Sequence, residues 1–150
     1  MSTLHVVPAL PSGLCPAQET TWFSCNTARH KTISLCGAPP ASIQYRYGKP
    51  GQIELAFPDK PADGVNQLRY AHYWRYQIDR TEITFSRADT AYALFDYTEA
   101  DGRNAGVRVT LPDGTEHEVM CSGPITSHLN ALGKSLRCDT DNALNGGACP

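Results

Sequence analysis

The alternation of large and polar side chains is clearest in residues 68–78. Rings and apolar side chains occupy every second position, namely Leu68, Tyr70, His72, Trp74, Tyr76 and Ile78. The positions between them are Arg69, Ala71, Tyr73, Arg75 and Gln77. A period of two residues is that of a β-strand, whose successive side chains point to opposite faces. We therefore expect a long central strand that places Trp74 in the core and turns both arginines toward water or an anionic partner.

Further β-prone runs lie on both sides of this strand. They span 20–25, 31–36, 42–47, 52–57, 82–86, 91–97, 106–111 and 115–121. Clusters of turn-forming residues separate them, including 48–51, 79–80 and 101–104. Short strands joined by turns are typical of antiparallel sheets. The pattern predicts a mainly β fold, either an antiparallel β-sandwich or a barrel-like meander.

The alternating strand pattern is absent from the two ends of the chain. Ile125, Leu129, Leu132 and Leu136 follow helical spacing, and Pro124 suits a first helical position, which predicts one short C-terminal helix. Several prolines interrupt the beginning of the chain, so we expect an irregular N-terminal arm over 1–19. Residues 20–150 then form a single disulfide-braced β domain. A chain of 150 residues can support one core that buries roughly two-thirds of the unfolded surface.

Composition excludes several classes of protein. Hydrophobic residues make up 41% of the chain and charged residues 19%, which excludes a disordered chain. A net charge of -2 with scattered lysines and arginines favours no nucleic-acid partner. No apolar run approaches the roughly 20 residues that a membrane-spanning helix needs. We therefore expect neither nucleic acid nor a membrane span.

The cysteines indicate disulfide bonds. There are six of them, Cys15, Cys25, Cys36, Cys121, Cys138 and Cys149, with no Cys-x-x-Cys pair. An even count at wide spacing favours disulfides over zinc or redox chemistry. A symmetric hairpin would put Cys25 opposite about Thr32, so a Cys25–Cys36 bridge is disfavoured unless a bulge shifts the register. Cys138 and Cys149 form the most local pair available.

Disulfides also indicate a compartment. They persist in the periplasm or outside the cell, so we expect a periplasmic or secreted protein. The first residues, Met1 to His5, lack the basic and apolar regions of a signal peptide. The simplest interpretation is that the sequence is the mature form of an exported protein, with an added initiator Met.

A succession of short runs extends from Thr20 to Cys149. These runs are Phe23-Ser-Cys25, Ile33-Ser-Leu-Cys36, Gln44-Tyr-Arg-Tyr-Gly48, Ile53-Glu-Leu55, Glu82-Ile-Thr-Phe-Ser86 and Cys138-Asp-Thr-Asp-Asn-Ala-Leu-Asn-Gly-Gly-Ala-Cys149. The succession resembles a group of small exported, cysteine-containing proteobacterial proteins. In size, compartment and all-β character, the chain is also similar to periplasmic lysozyme inhibitors and to immunity proteins against secreted cell-wall enzymes. This resemblance implies a protein that binds and blocks another protein, but the lysozyme inhibitors' loop motifs are absent and no inhibitory residue is carried over.

Catalytic and metal-binding motifs are weak. The histidines form no His-x-x-x-His pair, and no Gly-x-Ser-x-Gly elbow is present. His117 lies between two glutamates, which point to the opposite face of a strand, so a solvated strand explains it better than a catalytic site. Asp139 and Asp141 begin like a calcium loop, but the later ligand positions do not match. We predict no enzyme, no metal and no cofactor.

The residues left for function are basic and aromatic. Arg69, Tyr73 and Arg75 share one strand face, and interfaces favour such side chains, although a solvated sheet face is the alternative. Arg103, in the predicted 101–104 turn, is a competing candidate because inhibitors often reach a cleft with a loop. We predict a non-catalytic immunity protein or inhibitor that occludes a secreted cell-wall hydrolase or toxin. The second hypothesis is a structural or accessory domain of the cell envelope.

Overall fold

The computed structural model describes residues 13–146 and 149. In this part of the chain the backbone forms ten β-strands, one α-helix and three 3-10 helices. The strands are β1 (Thr20–Thr27), β2 (Thr32–Ala38), β3 (Ser42–Lys49), β4 (Gln52–Phe57), β5 (Arg69–Arg75), β6 (Ile78–Arg87), β7 (Thr90–Glu99), β8 (Gly102–Thr110), β9 (Glu116–Ser127) and β10 (Arg137–Cys138). The helices are α1 (Gly64–Gln67) and the 3-10 helices Pro61–Asp63, Leu129–Lys134 and Ala143–Asn145. The predicted mainly β fold is confirmed.

The strands form one curled sheet in the order β10-β5-β6-β7-β8-β9-β1-β2-β3-β4. Neighbouring strands are antiparallel, except that β10 runs parallel to β5. The long strand β9 changes partner in its middle: Met120 pairs with Gly106 of β8, whereas Cys121 pairs with Thr27 of β1. This change lets the sheet fold back on itself as a half-barrel. The predicted barrel-like meander is therefore confirmed.

One hydrophobic core fills the space between the two halves of the sheet. It contains Phe23, Ile33, Leu35, Ile43 and Tyr45 from β1–β3, and Ile83, Phe85, Leu94 and Val107 from β6–β8. None of these side chains is more than 5% exposed. Phe85 stacks between Phe57 and Tyr92, with ring centroids 4.4 and 4.8 Å away. Each fully buried side chain of this kind stabilises the fold by roughly 1.5–3 kcal/mol.

The predicted strand over 68–78 is shorter than its alternation suggests. β5 ends at Arg75, Tyr76 and Gln77 form a two-residue turn, and β6 begins at Ile78, so the turn predicted at 79–80 was wrong. Trp74 is 70% exposed rather than buried, because the opposing layer does not extend to that end of β5. At the other end, Leu68 is fully buried as predicted.

The C-terminal helix begins later than its apolar spacing predicts. Residues 124–127 continue β9, where Ile125 pairs with Cys25 of β1, and the 3-10 helix starts only at Leu129. Ladder hydrogen bonds to β1 satisfy the backbone there, so the segment does not turn into a helix at Pro124. The leucines at 129, 132 and 136 are nonetheless buried against the core, as the spacing predicts.

All six cysteines are paired. The bridges are Cys15–Cys36, Cys25–Cys121 and Cys138–Cys149. Cys25 lies opposite Ile33 and faces the core, whereas Cys36 lies one position out of phase and faces away, so these two cannot meet. The Cα–Cα distances of 5.4–5.8 Å are usual for disulfides. Three structural disulfides are typical of an oxidising compartment.

The N-terminal arm covers the outer face of β2 and β3. Leu14 donates its backbone N–H to the Oγ of Ser34 at 3.0 Å, and Arg46 makes a bidentate ion pair with Glu19. The Cys15 bridge anchors the arm between these contacts. Residues 13–19 contain no extended strand, and residues 1–12 of the predicted arm lie outside the described residues.

Candidate partner-binding surface

A groove of about 1170 Å³ runs over the outer face of β5–β8. Directly paired residues place rows of side chains on this face, and one row is Tyr73, Arg80, Tyr97 and Asn104. The neighbouring positions along each strand point to the opposite face, which carries the core residues Ile83, Leu94 and Val107. The floor of the groove is therefore polar and aromatic, although its reverse side is the hydrophobic core.

The C-terminal tail crosses this face and forms one wall of the groove. β10 extends the edge of β5, and Asp139 donates its backbone N–H to the carbonyl of Tyr70 at 2.8 Å. Farther along, Asn145 Oδ1 accepts the backbone N–H of His72 at 3.0 Å. Ala71 lies between these two anchors and is fully buried, although it belongs to the outer face. A small side chain at this position lets the tail lie directly on the strand.

A buried carboxylate, that of Glu82, lies in the groove floor beside the tail. Glu82 is only 5% exposed, and its Oε1 accepts a hydrogen bond from Asn142 Nδ2 at 2.8 Å. Its Oε2 accepts a hydrogen bond from the hydroxyl of Tyr97 and lies 3.6 Å from the Arg108 guanidinium. Both carboxylate oxygens thus have partners, which offsets the cost of burying the charge.

Electrostatics favour the protonated hydroxyl of Tyr97 and the charged guanidinium of Arg108. Burial raises the pKa of the Tyr97 hydroxyl, and Glu82 raises it further while Arg108 opposes the shift. The hydroxyl therefore stays protonated and can donate to the carboxylate. Burial lowers the pKa of the Arg108 guanidinium, but Tyr97, Glu82 and Glu118 together more than offset this effect. Sequence reasoning missed this network because the burial of Glu82 depends on the distant tail.

The predicted partner-binding residues are separated by the fold. Arg69, Tyr73 and Arg75 all line the groove, as their shared face predicts. The tail crosses between them at Ala71, so Arg69 lies on one side of the tail and the other two lie on the opposite side. The Arg69 guanidinium donates to the carbonyl of Asn66 at 2.7 Å. Only Tyr73 and Arg75 therefore remain neighbours in one accessible surface.

Arg103 lies on the other face of the sheet. The turn after β7 is formed by Ala100 and Asp101, so Arg103 is the second residue of β8 and not part of a loop. Its guanidinium makes a bidentate ion pair with Asp96, at 2.9 and 2.8 Å. Hydrogen bonding to this carboxylate raises the pKa of Arg103. Arg103 thus already has an intramolecular partner.

The end of the β5–β6 hairpin is the most exposed aromatic surface. We call residues 73–77 the hairpin tip, and every residue in it is exposed. Tyr73, Trp74 and Tyr76 are 38%, 70% and 83% exposed. Among residues 13–146 and 149, no hydrogen bond or ion pair engages the Arg75 guanidinium. The turn has no Gly, Pro or Asn, so the sequence offered no signal that the strand ends here.

Comparisons with known proteins do not identify a function for this surface, so its chemistry is the guide to function. No family model matches the chain, and no solved structure matches it.

In the described segment 13–146, none of the helices has the length and apolar character needed to cross a membrane. Three or more potential metal ligands do not come together anywhere within the described residues. His117 is exposed on β9, and Asp139 is engaged by Thr84 and by the backbone N–H of Asp141.

Proposed function

We propose that this protein is an exported, non-catalytic binding protein, an immunity protein or inhibitor that occludes a secreted cell-wall hydrolase or toxin. The observation that carries the proposal is the exposed Arg75 guanidinium beside the Tyr73 ring, with no intramolecular partner among the described residues. Arg and Tyr are enriched at protein interfaces and among the residues that contribute most to binding.

The chemistry of Arg75 suggests the kind of partner. A guanidinium forms two parallel hydrogen bonds with a carboxylate, and this geometry makes it specific as well as strong. Hydrolases that cleave glycosidic bonds use a pair of carboxylates in an open cleft. A protein that places Arg75 against such a pair would block substrate entry.

Two further features support the proposal. The three disulfides suit the periplasm or the extracellular space, where secreted hydrolases and toxins act. The carboxylate of Glu82 is only 5% exposed and is engaged by Asn142, Tyr97 and Arg108, whereas a general acid or base must come within hydrogen-bond reach of the substrate. A binding role therefore explains the groove better than catalysis does.

An inhibition assay tests the proposal. The purified protein is titrated into peptidoglycan hydrolysis by a panel of purified muramidases and amidases, together with any hydrolase encoded beside its gene. We expect loss of one enzyme's activity with an endpoint near one inhibitor per enzyme, and no hydrolysis by the protein alone. If no enzyme is inhibited at micromolar concentrations and the protein instead cosediments with peptidoglycan, the envelope-accessory hypothesis replaces this one.

A further inference from the structure

The hairpin tip presents an unusual concentration of exposed rings. Single hydrophobic side chains on a surface are normal and need no explanation. Here Tyr73, Trp74 and Tyr76 occupy three of four consecutive positions, and two of them are at least 70% exposed. Rings grouped in this way lose contact with water when a partner covers them, which favours binding.

The backbone beneath the tip is held in place. The β5–β6 ladder remains paired up to Arg75 and Ile78, directly at the turn. His72 Nε2 lies 2.9 Å from Asp79 Oδ1 across the ladder, and the backbone of His72 is bound by Asn145 of the tail. Arg80 is in turn paired with Glu99. A preorganised hairpin loses little conformational freedom on binding.

The charge at the tip favours an acidic cleft. Asp79 and Arg80, the charged residues next to the turn in β6, are engaged by His72 and Glu99 respectively. Within the part of the chain that the structure describes, Arg75 has no ion-pair partner, and in the sequence it lies between two exposed rings, Trp74 and Tyr76. A complementary surface needs apolar walls for the rings and a carboxylate for the guanidinium. A flat surface would not contact both sides of the hairpin.

We propose that the hairpin tip inserts into the carboxylate-lined cleft of the protein partner, with Arg75 on the carboxylate and Trp74 and Tyr76 against the cleft walls. This inference rests on the proposed function and deepens it, because it names the inserting element and the chemistry of its receptor. It assigns binding to Trp74 and Tyr76, which the alternation of the sequence places in the core. It leaves Arg69 and Arg103 outside the interface.

The test compares matched variants against the hydrolase that the wild-type protein inhibits. The tip variants are Arg75→Ala and the double variant Trp74→Ala/Tyr76→Ala, and the control is Arg29→Ala, an exposed arginine in the β1–β2 turn. We expect the inhibition constant to rise at least about 30-fold for Arg75→Ala and about 100-fold for the double variant. Arg29→Ala should inhibit like the wild type. Melting temperatures of all variants should stay within a few degrees of the wild type, which separates lost binding from lost folding.

Fluorescence gives a second readout. Replacing Trp22 with Phe leaves Trp74 as the single tryptophan. Its emission should be red-shifted and quenched by acrylamide in the free protein, and blue-shifted and protected when the inhibited hydrolase is added. If the tip variants inhibit normally and Trp74 stays accessible in the complex, the tip assignment fails while the proposed function stands. If the wild-type protein inhibits no hydrolase, the proposed function and this inference both fail.

Discussion

Ala71 pairs directly with Glu82 across the β5–β6 ladder, and both are almost completely buried on the outer face of the sheet. Neither is covered by the core, because that face points away from it. The C-terminal tail covers both, and Asn142 of the tail supplies a hydrogen bond to the carboxylate. The small side chain of Ala71 on β5 thus leaves room for the tail to reach the carboxylate of Glu82 on β6.

Removing the Asn142 side chain should destabilise the protein through Glu82. Asn142→Ala leaves one carboxylate oxygen buried without its partner, and it also removes the side-chain acceptor for the backbone N–H of Leu144. We expect a loss of about 1–3 kcal/mol in the free energy of unfolding, measured by urea denaturation. Asn142→Asp keeps the acceptor for Leu144 but places a second carboxylate against Glu82, so it should cost at least as much.

The matched control for this experiment is Asn104→Ala. Asn104 is exposed on the same outer face in β8, and its replacement should change stability by less than about 0.5 kcal/mol. Equal stabilities for the Asn142 and Asn104 variants would mean that water satisfies Glu82 and that the tail does not seal it.

Trp74 and Phe85 should respond very differently to truncation. Trp74 is 70% exposed, so Trp74→Ala should cost less than about 1 kcal/mol. Phe85 is 5% exposed and stacked between two rings, so Phe85→Ala should cost about 3–5 kcal/mol. Thermal or chemical unfolding of the two variants measures both values. A large loss for Trp74→Ala would restore the buried position that the sequence pattern predicts.

The three disulfides should differ in their contribution to stability. Cys25–Cys121 joins residues 96 apart, whereas Cys138–Cys149 joins residues 11 apart. In the loop-entropy description, removing the long bridge costs about 4–5 kcal/mol and removing the short one about 3 kcal/mol. Paired Cys→Ala variants compared by denaturation test this order. Peptide mapping without reductant should find the three bridges and no alkylated thiol, and a free thiol in the exported protein would contradict the assignment.

Tyr45 should make the protein sensitive to alkaline pH. Burial raises its pKa far above the ordinary value of 10.0, and the neighbouring Tyr47 and Tyr92 add to the shift. Tyr45 ionises above about pH 10 in the unfolded chain but stays protonated in the folded chain. The stability that depends on this residue is therefore fully present below pH 10, and the free energy of unfolding falls as the pH rises above it. Tyr45→Phe should reduce the loss of unfolding free energy between pH 10 and 11 by about 1 kcal/mol. Parallel stability curves for the variant and the wild type would show that this tyrosine does not limit alkaline stability.

The sequence by itself determined the elements that depend on neighbouring residues. Period-two runs predicted the strands, since side chains in an extended backbone alternate between two environments wherever one face is buried. Helical spacing identified Leu129, Leu132 and Leu136 as buried, even though the helix begins later than predicted. The even count of widely spaced cysteines predicted that all of them form disulfides.

Only the tertiary structure decided where each face is covered and which distant groups meet. Alternation assigned Trp74 to the inner face, but it holds no information on how far the opposing layer extends. The Cys25–Cys121 pair required the pairing of β1 with β9, which brings together cysteines 96 residues apart. Glu82 and Asn142 are 60 positions apart, and their contact depends on the path of the tail. Local pattern reflects the geometry of one strand, whereas burial and pairing depend on segments that become neighbours only after folding.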